Sequence, residues 1–163
     1  MTLTELQRNY RPGTVETILV RTSRIVAPIL LDNVNAISDI GLEGDHYQNT
    51  GGNRQVTLIQ AEHLEVLASM LGVDKVAPEL VRRNLVVKGI NLLSLKGKKF
   101  KVGGAVLEYS GECHPCSRME KNLGTGGYNA MRGHGGITAK VIAGGVIRVG
   151  DSVVISEGDN DVA

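Results

Sequence analysis

The stretch LVVKGINLLSLKGKKFKVGGAVLEY, Leu85–Tyr109, decides the fold. Three apolar and β-branched runs, Leu85–Val87, Lys99–Val102 and Ala105–Tyr109, are separated by Gly89, Gly97 and the pair Gly103-Gly104. Each run has the length of a short strand, and each break carries the residue that tight turns favour. Towards the C terminus the texture continues. Gly136–Ala143, Gly144-Gly145 and Val146–Arg148 predict a hairpin, and Ser152–Ile155 follows Gly150-Asp151 as a last strand. Towards the N terminus, Arg54–Ile59 reads as a strand, and VETILVRTSRIVAPILL, Val15–Leu31, as a strand, a bend at Pro28 and an edge strand. Helical spacing is confined to Leu64, Leu67, Ala68 and Leu71, ending at Gly72, with Pro78–Arg83 and Ser117–Asn122 suited to one helical turn each. Strands that do not alternate with long helices argue against a doubly wound sheet. They predict a mainly β, barrel-like domain with one or two short helices.

Composition bounds the function classes. A chain of 163 residues and 17.4 kDa suits one domain. We divide it into an N-terminal arm (1–13), a domain (14–156) and a solvated C-terminal tail (157–163). Lys and Arg total 18 against 17 Asp and Glu, so the net charge of +1 implies no general pull towards nucleic acid or an anionic membrane. A local basic pocket is still open. No apolar run approaches the roughly 18–20 residues that span a bilayer, and the first residues, MTLTELQRNYRPG, contain no secretory h-region. A soluble, cytoplasmic protein is expected. The 21 glycines and the absence of Trp fit a chain that turns often.

The strongest chemical signal is YSGECHPCSRM, residues 109–119. Cys113 and Cys116 form a single C-x-x-C, which in a reducing compartment points to thiol or metal chemistry before structural bridging. If Ser117–Asn122 is helical, Cys116 sits at its start beside Arg118, an environment that favours a nucleophilic thiolate. The plain alternative for either cysteine is a small buried apolar residue. A thioredoxin-like reading needs a long helix after the motif, and Gly124, Gly126 and Gly127 cut this one short. Zinc could recruit Cys113, Cys116, His114 or His134, but no second C-x-x-C or spaced His pair completes a tetrahedral site. Nor is Cys116, which follows Pro115, succeeded by a second Cys three residues on, as the nucleobase-deaminase signature requires.

Other candidates are weaker individually. GTGG (124–127) and GHGG (133–136) offer amides for an oxyanion, but neither completes a phosphate-loop motif and a plain turn is the favoured reading. Arg82-Arg83-Asn84 before an apolar strand could hold phosphate or a planar heterocycle, or form a solvated basic turn. The long polar loop 36–52 suggests a binding loop with Asp45 and His46, although a turn-stabilising carboxylate accounts for Asp45 as well. Arg54 and His134 join the set, while Glu62 and His63 read as a solvated helix face.

Together these segments resemble the MOSC domain, the module named after the C-terminal domain of molybdenum cofactor sulfurases. The ordered text is GLEGDH (41–46), GGNRQV (51–56), QAEHL (60–64), RRNLVV (82–87), GINL (89–92), PCSR (115–118), GHGG (133–136) and Gly150-Asp151. The resemblance covers about residues 14–155 and rests on the order of the set rather than on one motif. It implies a β-rich barrel and a characteristic cysteine, Cys116, that carries sulfur as a persulfide or ligates the molybdenum of a pterin cofactor. Arg82 and Asn84 would then contact the pterin phosphate or ring, with Arg54, Asp45, His46 and Arg118 lining the site and Cys113 as a resolving thiol. The cofactor implied is molybdopterin. Pyridoxal phosphate is not expected, since no aminotransferase-like domain or Schiff-base lysine context is seen. The partners implied are a sulfur donor or an electron-transfer protein, as in family members that reduce N-hydroxylated compounds. Two further readings stand beside this one. They are a non-catalytic module for a small anionic ligand or a partner, and a dithiol redox protein using both cysteines. Substrate and oligomeric state are not legible.

Overall fold

The structure, a computed structural model, describes residues 1–9 and 11–156, so the expected tail at 157–163 lies outside the described residues. The strands are β1 (Gly13–Val20), β2 (Ile29–Leu31), β3 (Asn33–Ile37), β4 (Gly41–Leu42), β5 (Val56–Gln60), β6 (Leu85–Lys88), β7 (Lys99–Val102), β8 (Ala105–Glu112), β9 (Ile137–Ala143), β10 (Gly145–Arg148) and β11 (Ser152–Ile155). The helices are α1 (Leu3–Leu6), α2 (Ala61–Leu71), α3 (Pro78–Val81), α4 (Ser117–Leu123) and α5 (Gly127–Met131), with a 3-10 turn at Leu92–Leu95.

Seven strands close into a barrel in the order β1, β11, β7, β8, β9, β5, β6 and back to β1. Closure pairs Gly13 with Val153 and Thr14 with Ser152. Neighbours are antiparallel except β5 and β6, which run parallel and therefore need the long crossover that α2 and α3 supply. The mainly β barrel expected from the glycine-broken strands is present, and β2 sits outside it as the end strand against β1.

Side-chain alternation assigns two apolar layers. Ile18, Leu58, Leu85 and Val87 point into the barrel with Phe100, Val102, Leu107, Ile137 and Val153. Their neighbours Leu19, Ile59 and Val86 point outward, against Leu67, Val81, Met119 and Met131 of the helices. The end of β1 (residues 18–20), β5 and the start of β6 (residues 85–87) are thus buried on both faces, which is why ILV at 18–20 and LVV at 85–87 read as unbroken apolar runs.

Three expectations need correction. The strands β9 and β10 form no hairpin: β9 pairs with β5 and β8, whereas β10 pairs with β3 in a separate sheet of order β10, β3, β4. The glycine pair lets the chain slip between layers, because a Cβ at Gly144 would lie 2.7 Å from the Ala36 carbonyl and one at Gly145 would collide with that of Gly104. Part of the polar loop 36–52 is the strand β4, held by Ala36 opposite Leu42. Helices beyond the expected one or two are short turns, among them α1 with a Thr2–Glu5 capping box and α5 within the glycine-rich 124–136 region.

Candidate functional site

Strand β8 runs to Glu112 and delivers Cys113, His114, Pro115 and Cys116 to the start of α4. The first cysteine is fixed from both sides: its N–H donates to Gly136 O at 2.9 Å, and its carbonyl accepts from Arg83 Nη2 at 3.4 Å. A Cβ at Gly135 would strike the Cys113 carbonyl, so position 135 must be glycine for this close approach. Cys113 is buried and Cys116 exposed, both as free thiols. Cys116 is the N-cap of α4, its carbonyl accepting from Met119 N–H at 2.9 Å, and buried Met119 anchors that helix to the outer apolar layer.

The segment after α3 supplies the cations. Arg82 adopts φ +57, a left-handed conformation unusual outside glycine, which ends α3 and redirects the chain into β6. Its guanidinium donates to Ser23 O at 2.9 Å and Val26 O at 2.7 Å. Arg118, the second residue of α4, donates to the neighbouring Arg24 O. Burial first, then the Arg118 and Arg21 charges, hold Arg82 below the ordinary guanidinium pKa, while Asp45 and Cys116 pull it back up. Arg83 is buried and bonded to carbonyls alone, those of Gly135 (2.8 Å), Val81 (2.9 Å) and Cys113. Burial likewise lowers its pKa, opposed by the Cys113 sulfur and reinforced by Arg54 and Arg21.

Asp45 and Asn84 belong to a different arrangement beneath this one. The Asp45 carboxylate accepts from Arg21 N–H (2.7 Å), Nε (3.1 Å) and Nη2 (2.9 Å), from Tyr47 N–H (3.1 Å) and from Asn84 Nδ2 (3.1 Å). Burial opposes its charge, yet the Arg21 hydrogen bonds and charge with the Arg21 and Tyr47 N–H groups outweigh it and lower its pKa. Asn84 is 0 % exposed, its Oδ1 taken by Thr57 and Arg21 and its Nδ2 by Leu19 O and Asp45. The structure therefore places both residues in a saturated knot, where they shape the floor without facing solvent. Arg21 is the member the sequence reading missed; its signal was a charged residue closing the apolar run TILV at the end of β1.

The remaining candidates separate. His46 is exposed at the base of the 21–28 loop, its ring Nδ1 at 2.9 Å from Arg21 O. Arg54 is half-buried just before β5, on the side that Arg83 feels. In the 124–127 turn the oxyanion is the protein's own, because Glu120 accepts from Gly126 N–H and Tyr128 N–H, both at 3.0 Å, and these bonds lower its pKa. His63 and His134 meet edge to face with centroids 5.0 Å apart. His63 lines a cleft of about 260 Å³ together with Gln60, Glu112, Cys113 and His114 among others. Another cavity of about 730 Å³, between α2 and strands β1 and β6, contains none of the expected site residues. Among the described residues, no group of three or more His, Cys, Asp or Glu is placed to hold a metal ion, and no helix is long and apolar enough to cross a membrane.

What the arrangement offers is an accessible sulfur amid guanidiniums whose partners are mostly neutral carbonyls. A family model described as the MOSC domain matches residues 45–154. Among solved structures, the chain is similar to the YuaD protein from Bacillus subtilis, with a TM-score of 0.78 and 20 % identity over 89 % of this chain and 96 % of that one. It is also similar to YiiM from Geobacillus stearothermophilus (TM-score 0.70, 18 % identity, 90 % of this chain and 76 % of that one). YiiM from Escherichia coli gives a TM-score of 0.67 at 23 % identity, over 90 % of this chain and 69 % of that one. At these identities the structural likeness speaks for the fold alone. No curated protein matches the chain.

Proposed function

The chain belongs to the MOSC domain family, and from that premise we propose that it binds a phosphate-bearing molybdenum cofactor beside Cys116, or carries sulfur on Cys116 as a persulfide. The family is associated with molybdenum-cofactor binding and sulfurase-type roles. The observation that carries the reading is the charge pattern: Cys116 is exposed, Arg82 and Arg83 both feel it, Arg118 lies beside Arg82, and Asp45 is the acidic group that Arg82 feels. A soft sulfur at the surface beside excess cation suits a thiophilic metal and an anionic tail.

In this reading Arg82 and Arg118 hold phosphate oxygens, Arg83 adds positive potential from below, and Cys116 Sγ offers itself as a metal ligand. When bound, the cofactor supplies two-electron redox chemistry at molybdenum. In the sulfur-carrier form, the Cys116 thiolate attacks the outer sulfur of a donor persulfide. A new S–S bond forms at Cys116, the donor S–S bond breaks, and the donor leaves as a thiolate with no net oxidation. The partner in that case is a persulfide-bearing protein, and in the cofactor case an electron-transfer protein.

Intact mass and elemental analysis of gently purified protein, beside Cys116→Ser, tests this. We expect stoichiometric molybdenum with pterin, or a reducible mass increase of one sulfur, lost in the variant. An unmodified protein in both samples, still binding a small anion, would move the weight to a non-catalytic binding module. Equal loss from Cys113→Ser and Cys116→Ser would instead favour a dithiol redox role.

A further inference from the structure

The loop from β1 to β2 is fastened at both ends and latched in the middle by the same guanidiniums that the functional reading assigns to an oxyanion. At one end the Arg21 N–H is held by Asp45 at 2.7 Å, and its carbonyl accepts from His46 N–H at 2.6 Å. At the other end Pro28 is buried just before β2. Between them, Ser23 Oγ accepts from the Ile25 and Val26 N–H groups at 3.3 and 3.1 Å, a purely local turn. Among the described residues, the hydrogen bonds tying residues 22–27 to the rest of the molecule are Arg82 to Ser23 O and Val26 O, and Arg118 to Arg24 O. Apolar packing does not hold the tip, since Ile25 is 93 % and Val26 53 % exposed.

A guanidinium bound to neutral carbonyls gains more from an oxyanion, because the opposite charge adds ion-pair attraction and bidentate geometry to each hydrogen bond. We propose that residues 22–27 form a lid beside Cys116, latched by Arg82 and Arg118 onto backbone carbonyls and released when a phosphate-type oxyanion takes those N–H donors. The latched loop competes with ligand, so the apparent affinity falls by the fraction of molecules that are closed. The inference rests on the oxyanion site proposed above and assigns it a gate. A phosphate monoester tail of a cofactor and free phosphate share the required chemistry.

Hydrogen–deuterium exchange of the full chain, followed over residues 22–27, reads the latch directly. In Arg118→Gln without added anion, exchange at Ile25 and Val26 should rise about tenfold, the effect of losing one charge-assisted hydrogen bond. In wild type, millimolar inorganic phosphate should raise it similarly, against chloride at matched ionic strength, and a pterin phosphate monoester acting at lower concentration would identify the cofactor tail as the source. Trypsin cleavage after exposed Arg24 should accelerate in parallel. Unchanged exchange and cleavage in Arg118→Gln would overturn the latch whatever the site binds. If phosphate binds by ³¹P NMR but leaves the wild-type loop unchanged, competition is overturned while the anion site stands. If no phosphate binds, the site reading itself fails.

Discussion

Two groups of arginines a few ångströms apart behave in opposite ways. Arg21 is locked to Asp45 at 2.9 Å in a knot that Asn84 and Thr57 complete. Arg82, Arg83 and Arg118 donate to main-chain carbonyls of the 23–26 loop, Val81, Cys113 and Gly135. With a carboxylate partner the cation is neutralised and becomes scaffold. With carbonyl partners it is held in place yet keeps its charge, which is the property an anion site requires.

The comparison is broken most directly at Asp45. Asp45→Asn leaves Arg21 buried without its counter-ion and should cost about 3–5 kcal/mol in denaturant unfolding; a loss below about 1 kcal/mol would put Arg21 in the same class as Arg83. Next, Arg83→Met withdraws donors from three carbonyls and should cost about 1–3 kcal/mol. A gain in stability would show that burying the uncompensated charge outweighs those bonds, sharpening the contrast.

Acid should weaken the knot while the guanidiniums stay protonated. Asp45 has a folded pKa below its unfolded value, so its contribution is present above about pH 3.9 and lost as pH falls through the folded pKa. His63 is also depressed, by burial first and then by the His134 charge, so stability declines earlier, from about pH 6.5 downward. Thermal unfolding against pH should therefore show two descents, the upper one abolished in His63→Gln. The smallest effect belongs to Cys116→Ser, which should change stability by less than about 0.5 kcal/mol. In the wild type, a thiol reagent should label Cys116 in the native state and Cys113 only on unfolding, and native labelling of both would contradict the inner and outer placement described here.

The barrel was readable where strand texture is local. Runs such as Leu85–Val87 and Lys99–Val102 contain their own β-branched pattern and glycine stops, and α2 carries its period and its Gly72 cap, at φ +68. Pairing was not readable where it depends on distant backbone. Gly144-Gly145 looks like any hairpin turn until β3 is known to pass beside it. For the site, the local sequence put Arg118 beside Cys116, and the family resemblance alone added Arg82 to them; in the fold Arg82 feels both. It could not reveal that Asn84 faces inward or that Arg21, 24 positions before Asp45, is the carboxylate's partner. Contacts across such separations are set by register, which no local window contains.

The pairing of Gly13 with Val153 also has a consequence for how the chain is made. During synthesis β1 emerges first and β11 last of the barrel strands. Until β11 arrives, β7 and the start of β1, at Gly13 and Thr14, present open strand edges, and such edges template pairing between nascent chains. A ribosome-stalled chain ending before Ser152 would hold nearly every residue of the core and still behave as an adhesive open sheet. The last strand acts as the clasp that joins the β7 edge to β1.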